Sequence, residues 1–573
     1  MNNIDPIKLS VLINNLYWIT EEMNEYLAKS AFSTNIKIRR DCSCALYTKN
    51  GDMLAQGEFI PVHLGVMSQT LKEILKDYPL NSWDKGDQII HNDPYRMGAH
   101  LWDIMLFKPI FFDGEIIAFA GDLAHHVDIG GSPLLSVVPT IFEEGLRIPP
   151  LKIIKEGKMQ DDIIKIITNN VRTPSEVRGD LLAQTSANFR AEQRIVELVK
   201  KYGFDTLSKY FEATLNYSEK GMREAIDKLP NEEAEFEDFI ENDGINDKLI
   251  KIKAKVKIQD KDIYIDFEGS GKPGEGGVIS TWALTHSATY CAIKSVLAPY
   301  LPTNGGAYRP IHLIMPKEDT IVNAKFPHAV GSCTSNPAQR IVDVIIGALS
   351  KIVPKQVCAC DGDWPAAQFV GIDPRNGRYS VYIETYGCGC GAKYNDDGAD
   401  AHQTHMTNTA NAPIEIIELE HPLKVEGYSL VEDSGGAGKF RGGVGICRVL
   451  KSLVPMSIST TPKRPSIQPY GLAGGEGGKV DLCGVMETNN KIVSVVRNVK
   501  KCTKTIIRTS GGGGWGNPLE RDFNKIEWDV LNGYVSLETA KEKYGCIINP
   551  MTHKIDVKKT KILREKLKNS KRN

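Results

Sequence analysis

The N-terminal segment carries an apolar stripe with the period of an α-helix. Its apolar side chains recur every three to five positions, at Ile7, Val11, Leu12, Leu16, Ile19, Met23 and Leu27. Asp5 followed by Pro6 is a typical helix start, because the aspartate caps free backbone N–H groups and proline suits the first helical position. The pattern therefore predicts a long amphipathic helix from Pro6 onwards.

Two β-hairpins are predicted next. CSCALYTKNGDMLAQG turns at Asn50-Gly51, and IMLFKPIFFDGEIIAFAGDLAH turns at Asp113-Gly114. Both dipeptides favour tight turns between antiparallel strands. A regular register in the second hairpin would place Asp103 opposite Ala124. A single bulge would place Asp103 opposite His125 instead, with both side chains on one face of the sheet.

The remaining pattern predicts an α+β, multi-domain fold. Residues 160–230 are helical in pattern, and the acidic stretch NEEAEFEDFIENDG that follows is a linker or an edge strand. Short strands and Gly-rich loops then run to about residue 510, and helix returns after Pro518. We expect a mixed α/β domain at 1–235, a β-rich domain at 236–510, and a helical extension with a basic tail at 511–573.

Composition narrows the class of protein. The chain has 573 residues, which is too long for one simple core, and its formal net charge of −1 gives no general attraction to nucleic acid or anionic membranes. The N-terminus lacks a signal-peptide layout, and no apolar run approaches the ~20 residues of a spanning helix. We therefore expect a cytoplasmic protein that binds neither nucleic acid nor membrane, with a solvated basic tail.

Two otherwise apolar segments place polar residues together. GAHLWDIM sets His100 three positions before Asp103, and LAHHVDIGG crowds together His125, His126 and Asp128. Imidazole and carboxylate ligands suit zinc, manganese or iron, and such a site can keep an open position for water or substrate. The alternative is that these side chains cap strands and hydrogen-bond to nearby backbone. The candidate metal site falls in the first predicted domain.

Longer segments identify a resemblance. The chain contains, in this order, IRRDCSCALY, HNDPYRMGAHLWDIMLFKPIF, FAGDLAHHVDIGG, EEGLRIPPLKI, NVRTPSEVRGDLLAQ, GADAHQTHMTNTANAPIEIIELEHPLKVE, DSGGAGKFRGGVG and GGGGWGNPLERD. Together they resemble the hydantoinase B/oxoprolinase family over most of residues 30–530. The family includes B-type subunits of ATP-dependent hydantoinases, caprolactamase, and the related acetone and acetophenone carboxylases.

The resemblance implies a function and a set of metal ligands. It implies the metal-bearing subunit of an ATP-dependent hydrolase that opens a hydantoin, 5-oxoproline or lactam ring. By resemblance His100, Asp103 and His125 are ligands of one divalent ion and Asp41 is the fourth. Zinc is the first expectation and manganese the second. The alternatives are the matching subunit of a ketone carboxylase and a non-catalytic scaffold.

Nucleotide binding is expected on another chain. In DSGGAGKF, Phe440 stands where a phosphate-binding loop needs Ser or Thr, and Asp433 stands where it needs its first glycine. These Gly-rich loops are better interpreted as tight turns. The resemblance implies that ATP is bound by a separate A-type subunit of actin-like fold, so we expect a hetero-oligomer.

Further polar residues are candidates for catalysis. His126 and Asp128 follow a proposed ligand directly, so they could move a proton or orient that ligand, or they could form a backbone-bonded turn before Gly130-Gly131. His63, in IPVHLG, also matches a family segment and could line the site or be structural.

Other possible metal sites have less support. His402 and His405 have a spacing that could hold a second metal, although a structural or interface role is favoured because no partner carboxylate is indicated. The pairs Cys358/Cys360 and Cys388/Cys390 could form a zinc knot. Buried free thiols are the favoured interpretation, because structural knots more often have two residues between cysteines.

Overall fold

The computed structural model describes residues 4–570, except residue 58, residues 135–136 and residues 487–491. The described α-helices are α1 Pro6–Ser30, α2 Thr34–Lys37, α3 His63–Asp77, α4 Ile141–Glu144, α5 Asp161–Asn169, α6 Pro174–Tyr202, α7 Phe204–Ile226, α8 Trp282–Leu297, α9 Gly305–Tyr308, α10 Pro337–Ile352, α11 Ile414–Glu420, α12 Phe523–Leu531, α13 Leu537–Glu542 and α14 Val557–Ser570. The described strands are β1 Cys42–Thr48, β2 Met53–Gln56, β3 Gln88–His91, β4 Asp103–Phe112, β5 Glu115–His125, β6 Leu151–Lys155, β7 Lys158–Met159, β8 Glu233–Ile240, β9 Ile250–Gln259, β10 Asp262–Asp266, β11 Ile311–Ile314, β12 Ala366–Asp373, β13 Arg378–Thr385, β14 Leu423–Leu430, β15 Ile446–Ser452, β16 Met456–Thr461, β17 Leu482–Met486, β18 Ile492–Val493, β19 Val495–Val499 and β20 Lys504–Arg508.

The first helix begins where the sequence predicts. The Asp5 carboxylate accepts a hydrogen bond from the Ile7 N–H at 2.9 Å, which satisfies one free donor of the first turn. The inner face of α1 is buried against α6 and β1. The apolar stripe is narrower than its sequence suggests, because Ile7 and Val11 are exposed and burial starts at Leu12.

A seven-stranded sheet forms the N-terminal half. Its strand order is β2-β1-β5-β4-β3-β6-β7, and both predicted hairpins belong to it. Helices cover both faces: Cys42, Cys44 and Leu46 pack with α1 and α6, whereas Ala45 and Tyr47 face the larger core on the other side. Strands that are covered on both faces are apolar throughout, which explains the nearly continuous burial of β1, β4 and β5.

One extra residue sets the register of the second hairpin. Asp113 and Gly114 have positive φ angles of 48° and 86°, as the tightest hairpin turn requires. Phe111 then pairs with Ile116 but Ile110 pairs with Ala118, which leaves Ile117 as the extra residue of a β-bulge. Beyond this bulge Asp103 lies opposite His125. The bulged register is therefore confirmed, and the regular alternative is wrong.

The acidic stretch after α7 is an edge strand. It forms β8, the outer strand of a sheet with the order β11-β10-β9-β8. Its alternating glutamates face lysines of β9, with Glu233 and Lys255 joined at 2.8 Å and Glu235 and Lys253 also at 2.8 Å. Exposed pairs of this kind contribute little to stability, but charges on an edge discourage pairing with other chains. The linker interpretation is wrong for this segment.

The Gly-rich loops of the C-terminal half pack main chain against main chain. Gly443 N–H donates to Cys390 O at 2.8 Å, and Gly512 N–H donates to Gly443 O at 3.0 Å. A Cβ on Gly389 would lie 1.9 Å from the Gly443 carbonyl oxygen, so no larger residue fits there. These loops therefore use glycine for close backbone approach, in line with the interpretation as turns.

The predicted α+β, multi-domain class is confirmed, with helices after Pro518 forming the tail. The largest hydrophobic core contains side chains from both sides of residue 235, for example Ile226 and Ile252. That predicted boundary therefore does not coincide with a gap in packing, and the domain limits stay a prediction. Within the described residues no helix is both long and apolar enough to cross a bilayer.

We predict that Gly65→Ala will destabilise the protein. A Cβ on Gly65 would lie 2.3 Å from the Ser287 Cα, so α3 would have to move away from α8. Overpacking of this kind costs about 1–3 kcal/mol. The thermal unfolding midpoint measures the effect, and Gly427→Ala is the control because its nearest neighbour atom lies 3.8 Å away. Equal midpoints for the two variants would contradict the close helix contact.

Candidate metal centre

Three side chains converge at one end of the β4–β5 hairpin. His100 and Asp103 are buried and His125 is half-buried, and one potential ligand atom from each lies within 4.8 Å of the other two. The His125 Nδ1 is 3.1 Å from Asp103 Oδ1, and the His100 Nε2 is 3.3 Å from Asp103 Oδ2. Asp103 thus sits between two imidazoles.

Local structure explains this convergence. Asp103 and His125 are cross-strand partners, so their side chains lie on one face of the sheet. His100 lies in a tight turn just before β4, where its carbonyl accepts a hydrogen bond from the Asp103 N–H at 3.1 Å. This turn brings the His100 ring back over Asp103, as the sequence spacing predicts.

Two further predicted residues approach from neighbouring elements. Asp41 directly precedes β1, and its carbonyl accepts a hydrogen bond from the His125 N–H at 3.0 Å. His63 begins α3, with its Nε2 3.9 Å from Asp103 Oδ2 and its Nδ1 2.8 Å from Ser43 Oγ. Both residues line the same cavity as the three central side chains. The Asp41 carboxylate does not belong to the group of ligand atoms, from His100, Asp103 and His125, that all lie within 4.8 Å of one another.

The electrostatics of the site favour an ionised Asp103. Burial raises the pKa of this carboxyl, but the imidazoles of His100, His125 and His63 outweigh burial and hold the pKa well below its usual range. Burial lowers the pKa of His125, but Asp41 and Asp103 outweigh it and raise the pKa overall. For His63, burial is the dominant cause and lowers the pKa. The carboxylate therefore offers a full negative charge to any cation bound here.

The residues fit a divalent metal by their donor chemistry. Two imidazoles and a carboxylate are a common ligand set for zinc and related metals. Asp103 Oδ2 and His100 Nδ1 are buried and have no hydrogen-bond partner among the described residues. A buried, ionised oxygen that accepts no hydrogen bond destabilises the fold, and a bound cation would remove that destabilisation.

His126 and Asp128 turn away from this cavity. The His126 Nε2 lies 2.9 Å from Gln184 Oε1 on α6, and burial lowers the pKa of this ring. Asp128 accepts hydrogen bonds from the Gly130 N–H at 3.1 Å and from the Arg172 guanidinium at 2.8 Å. Neither residue lines the cavity around Asp103. Their contacts match the structural alternative, in which they fix the chain just beyond β5.

A buried ionic cluster involves His405 rather than a second metal. The His405 Nε2 lies 3.2 Å from Asp343 Oδ1 and 3.0 Å from Asp361 Oδ2. Arg464 also contacts Asp343 at 2.6 Å, whereas His402 is exposed. Burial lowers the pKa of His405, but the two carboxylates outweigh burial and raise it to about 9. These contacts agree with the structural role that is favoured for His405.

The cysteine pairs do not form a metal knot in the described part of the chain. Among the described residues, the potential metal ligands that cluster in a group of three or more are His100, Asp103 and His125, and this group contains no cysteine. Cys358, Cys360, Cys388 and Cys390 are free thiols, and burial raises the pKa of each. The favoured interpretation as buried thiols agrees with this structure.

The far wall of the cavity comes from residues that the sequence patterns did not indicate. Gly331, Ser332, Thr334 and Ser335 line it, together with Trp364. These serines and threonine lie in the loop before α10, whose start is marked by Asn336 and Pro337. That helix-start signal is visible in the sequence, but nothing local shows that the loop faces a hairpin more than 200 residues earlier.

Comparisons with known proteins identify the family of this chain. The family model described as Hydantoinase B/oxoprolinase matches residues 5–518. A protein of Pseudomonas sp. that is named as the B-type subunit of a D-/L-hydantoinase is 33% identical over 593 residues, which cover 99% of each chain. The predicted family resemblance is confirmed.

Solved structures share the fold. The crystal structure of ATP-dependent caprolactamase from Pseudomonas jessenii matches with a TM-score of 0.91 and 28% identity, over 98% of this chain and 100% of that chain. The nucleotide-free structure of acetone carboxylase matches with a TM-score of 0.90 over 99% of this chain and 83% of that chain. Its sequence is 19% identical, so this second match speaks for the fold alone.

We predict that His405→Gln will lower stability in a pH-dependent way. The folded-state pKa of about 9 lies above the ordinary value of 6.5, so the stabilisation is complete below pH 6.5 and is lost as the pH rises through 9. Its size is on the order of 3 kcal/mol. Thermal unfolding of wild type and variant from pH 6 to pH 10 measures the difference, with the exposed His402→Gln as control. A difference that grows with pH would contradict a protonated His405.

Proposed function

This chain belongs to the hydantoinase B/oxoprolinase family, and we propose that it is the metal-bearing subunit of an ATP-dependent cyclic-amide hydrolase. Its substrate would be a hydantoin, 5-oxoproline or lactam. The observation that carries the proposal is the convergence of His100, Asp103 and His125 on one face of a hairpin, inside a cavity. A scaffold would have no need of an ionised, buried carboxylate between two imidazoles.

His100, Asp103 and His125 would hold one divalent ion, with Asp41 as a fourth ligand. Zinc is the first candidate and manganese the second, because both accept nitrogen and oxygen donors. When bound, such an ion polarises an amide carbonyl and lowers the pKa of a water molecule. Asp103 would supply the negative charge that retains the ion. His63, which lies beside Asp103 and is kept neutral by burial, would orient a ligand or the water.

ATP would be bound by a separate A-type subunit. The hydantoinase relative is named as one subunit of its enzyme, and the caprolactamase structure is described as ATP-dependent. In this chain the Gly-rich loops pack against each other's main chain, which supports their interpretation as turns. We therefore propose a hetero-oligomer in which this chain carries out the ring opening.

A ketone carboxylase subunit is the second candidate. The observation in its favour is the fold shared with acetone carboxylase. Sequence favours the hydrolase, because the relative at 33% identity is named as part of a hydantoinase and acetone carboxylase is 19% identical. Substrate tests on the assembled complex separate the two functions.

We predict that Asp103→Ala will remove both metal binding and activity. The change deletes the one anionic member of the three-residue group, and two imidazoles alone hold a cation weakly. Metal content is measured by plasma mass spectrometry after dialysis, and unfolding midpoints show whether the fold persists. Asp162→Ala is the control, because its side chain is exposed on α5. Full metal content in Asp103→Ala would refute the ligand assignment.

We predict that the complex with its ATP-binding partner will hydrolyse ATP faster when a cyclic amide is present. The assay compares hydantoin, 5-oxoproline and a lactam with acetone or acetophenone plus bicarbonate. Stimulation by at least one cyclic amide, with ring-opened product, is the expected result. Stimulation by ketone and bicarbonate alone would favour the carboxylase. A complex that binds no metal and responds to neither class would favour the scaffold.

A further inference from the structure

A lysine reaches the wall of the metal-site cavity through a serine. Ser335, in the loop before α10, lines the cavity that contains Asp103. The Lys463 Nζ donates a hydrogen bond to the Ser335 Oγ at 2.8 Å. Ser335 is 6% exposed and Lys463 is 1% exposed, so this contact is shielded from bulk water. A buried lysine beside a serine is a recurring arrangement for proton transfer in amide chemistry.

Lys463 also borders a second cavity on the other side of that loop. This cavity has a volume of about 190 Å³ and is lined by Lys463, Asn336 and Asn242. Such a volume holds several water molecules. Its lining includes the polar residues Asn242, Asn336 and Thr460 beside Lys463, so polar groups border this space. The Ser335–Lys463 contact therefore joins the metal-site cavity to a separate space that water can fill.

The surroundings of Lys463 place its pKa near neutral pH. Burial lowers its pKa to about 7, against the opposing effects of Asp363, Asp481 and Cys483, and Arg340 lowers it further. Asp363 is held by Arg340 at 3.2 Å, and Asp481 accepts the Lys463 backbone N–H at 2.6 Å. Both carboxylates thus have other partners, and the Nζ is directed at Ser335. A group that titrates near neutral pH is well suited to give and regain a proton.

Amide cleavage needs a proton donor that the three-residue metal group does not supply. When the C–N bond breaks, the leaving nitrogen must gain a proton, because an amide anion is a very poor leaving group. Arg39 lines the cavity but cannot give up its proton. The Nδ1 of His63 is engaged with the Ser43 Oγ at 2.8 Å. The Ser335 hydroxyl, which donates to the Ser332 carbonyl at 3.2 Å in this structure, is a cavity group that is backed by a source of protons.

We propose that Ser335 and Lys463 form a proton relay to the leaving nitrogen of the cyclic amide, an inference that rests on the proposed hydrolase function. Water adds to the carbonyl carbon and releases one proton to solvent. As the C–N bond breaks, the nitrogen takes the proton of the Ser335 hydroxyl, and the Ser335 oxygen takes one from the Lys463 ammonium. Lys463 regains its proton from water in the second cavity. Ser335 is the catalytic residue and Lys463 the positioning residue that supplies it.

The first test uses the assembled complex and measures turnover. Ser335→Ala and Lys463→Met should each lower kcat by about 10²- to 10³-fold with little change in KM, because the relay acts on bond cleavage. The loss should be larger for a lactam than for a hydantoin, whose less basic ring nitrogen needs a proton less. Ser350→Ala is the control: it lies on the same helix, α10, and its hydroxyl donates only to Gly347 O at 2.7 Å.

A second test reports on Lys463 through the pH profile. The relay needs a protonated Lys463, so the kcat of the wild type should fall as the pH rises above about 7. In Lys463→Arg the relay should fail at every pH, since a guanidinium cannot give up its proton, and the remaining activity should no longer show this fall. A merely structural role of Lys463 would change kcat without moving the pH profile.

A third test needs no turnover and applies if Lys463→Met folds poorly. Methanesulfonyl fluoride should label Ser335 in the purified protein, detected by mass spectrometry, and at least ten times faster than it labels Ser350. Lys463→Arg, which keeps the positive charge, should lose this preference because it cannot act as a base.

The outcomes separate the two proposals. Wild-type kcat in Ser335→Ala, combined with loss of activity in Asp103→Ala, overturns the relay and leaves the hydrolase standing. No preferential labelling of Ser335 at any pH also overturns the relay. Failure of the wild-type complex to open any cyclic amide overturns the hydrolase and the relay together.

Discussion

The candidate centre depends on the cross-strand pairing of Asp103 with His125. The extra residue Ile117 in β5 shifts the strands by one position, and without that shift Asp103 would face Ala124. Because successive side chains of a strand point to opposite faces, a slip of one residue would send either partner to the wrong side of the sheet. The turn before β4 brings His100 to the Asp103–His125 pair only when the strands pair in this register.

The cavity is built by both halves of the chain. The β4–β5 hairpin and the turn before it supply two imidazoles and a carboxylate, and the loop before α10 supplies hydroxyls to the same cavity. Buried ion pairs hold the base of that loop: Arg464 contacts Asp343 at 2.6 Å and Asp363 at 3.1 Å, and Arg340 contacts Asp363 at 3.2 Å. Removing one partner of a buried pair is strongly destabilising, so this cluster fixes α10, which follows the loop, to the segments that carry Asp363 and Arg464. Substrate chemistry would therefore depend on residues more than 200 positions apart.

Local sequence patterns predicted the helices and strands well. They did not predict which distant segments contact each other. The Asp5-Pro6 helix start and both hairpin turns were readable, because caps and turns are set by neighbouring residues. The register of the second hairpin was left open, since a bulge depends on packing on both faces of the sheet. The contacts of Ser335 and Lys463 could not be predicted, because loop closure over such distances leaves no local pattern. His126 was a candidate because it adjoins His125, yet it lies just beyond the end of β5 and its ring contacts Gln184 of α6.

The most direct measurement is anomalous diffraction from crystals of the protein loaded with zinc, and separately with manganese. The account predicts one strong peak within about 2.0–2.2 Å of an imidazole nitrogen of His100, an imidazole nitrogen of His125 and an Asp103 carboxylate oxygen. A peak bound only by other residues, or a fully loaded crystal without a peak between these three side chains, would contradict it.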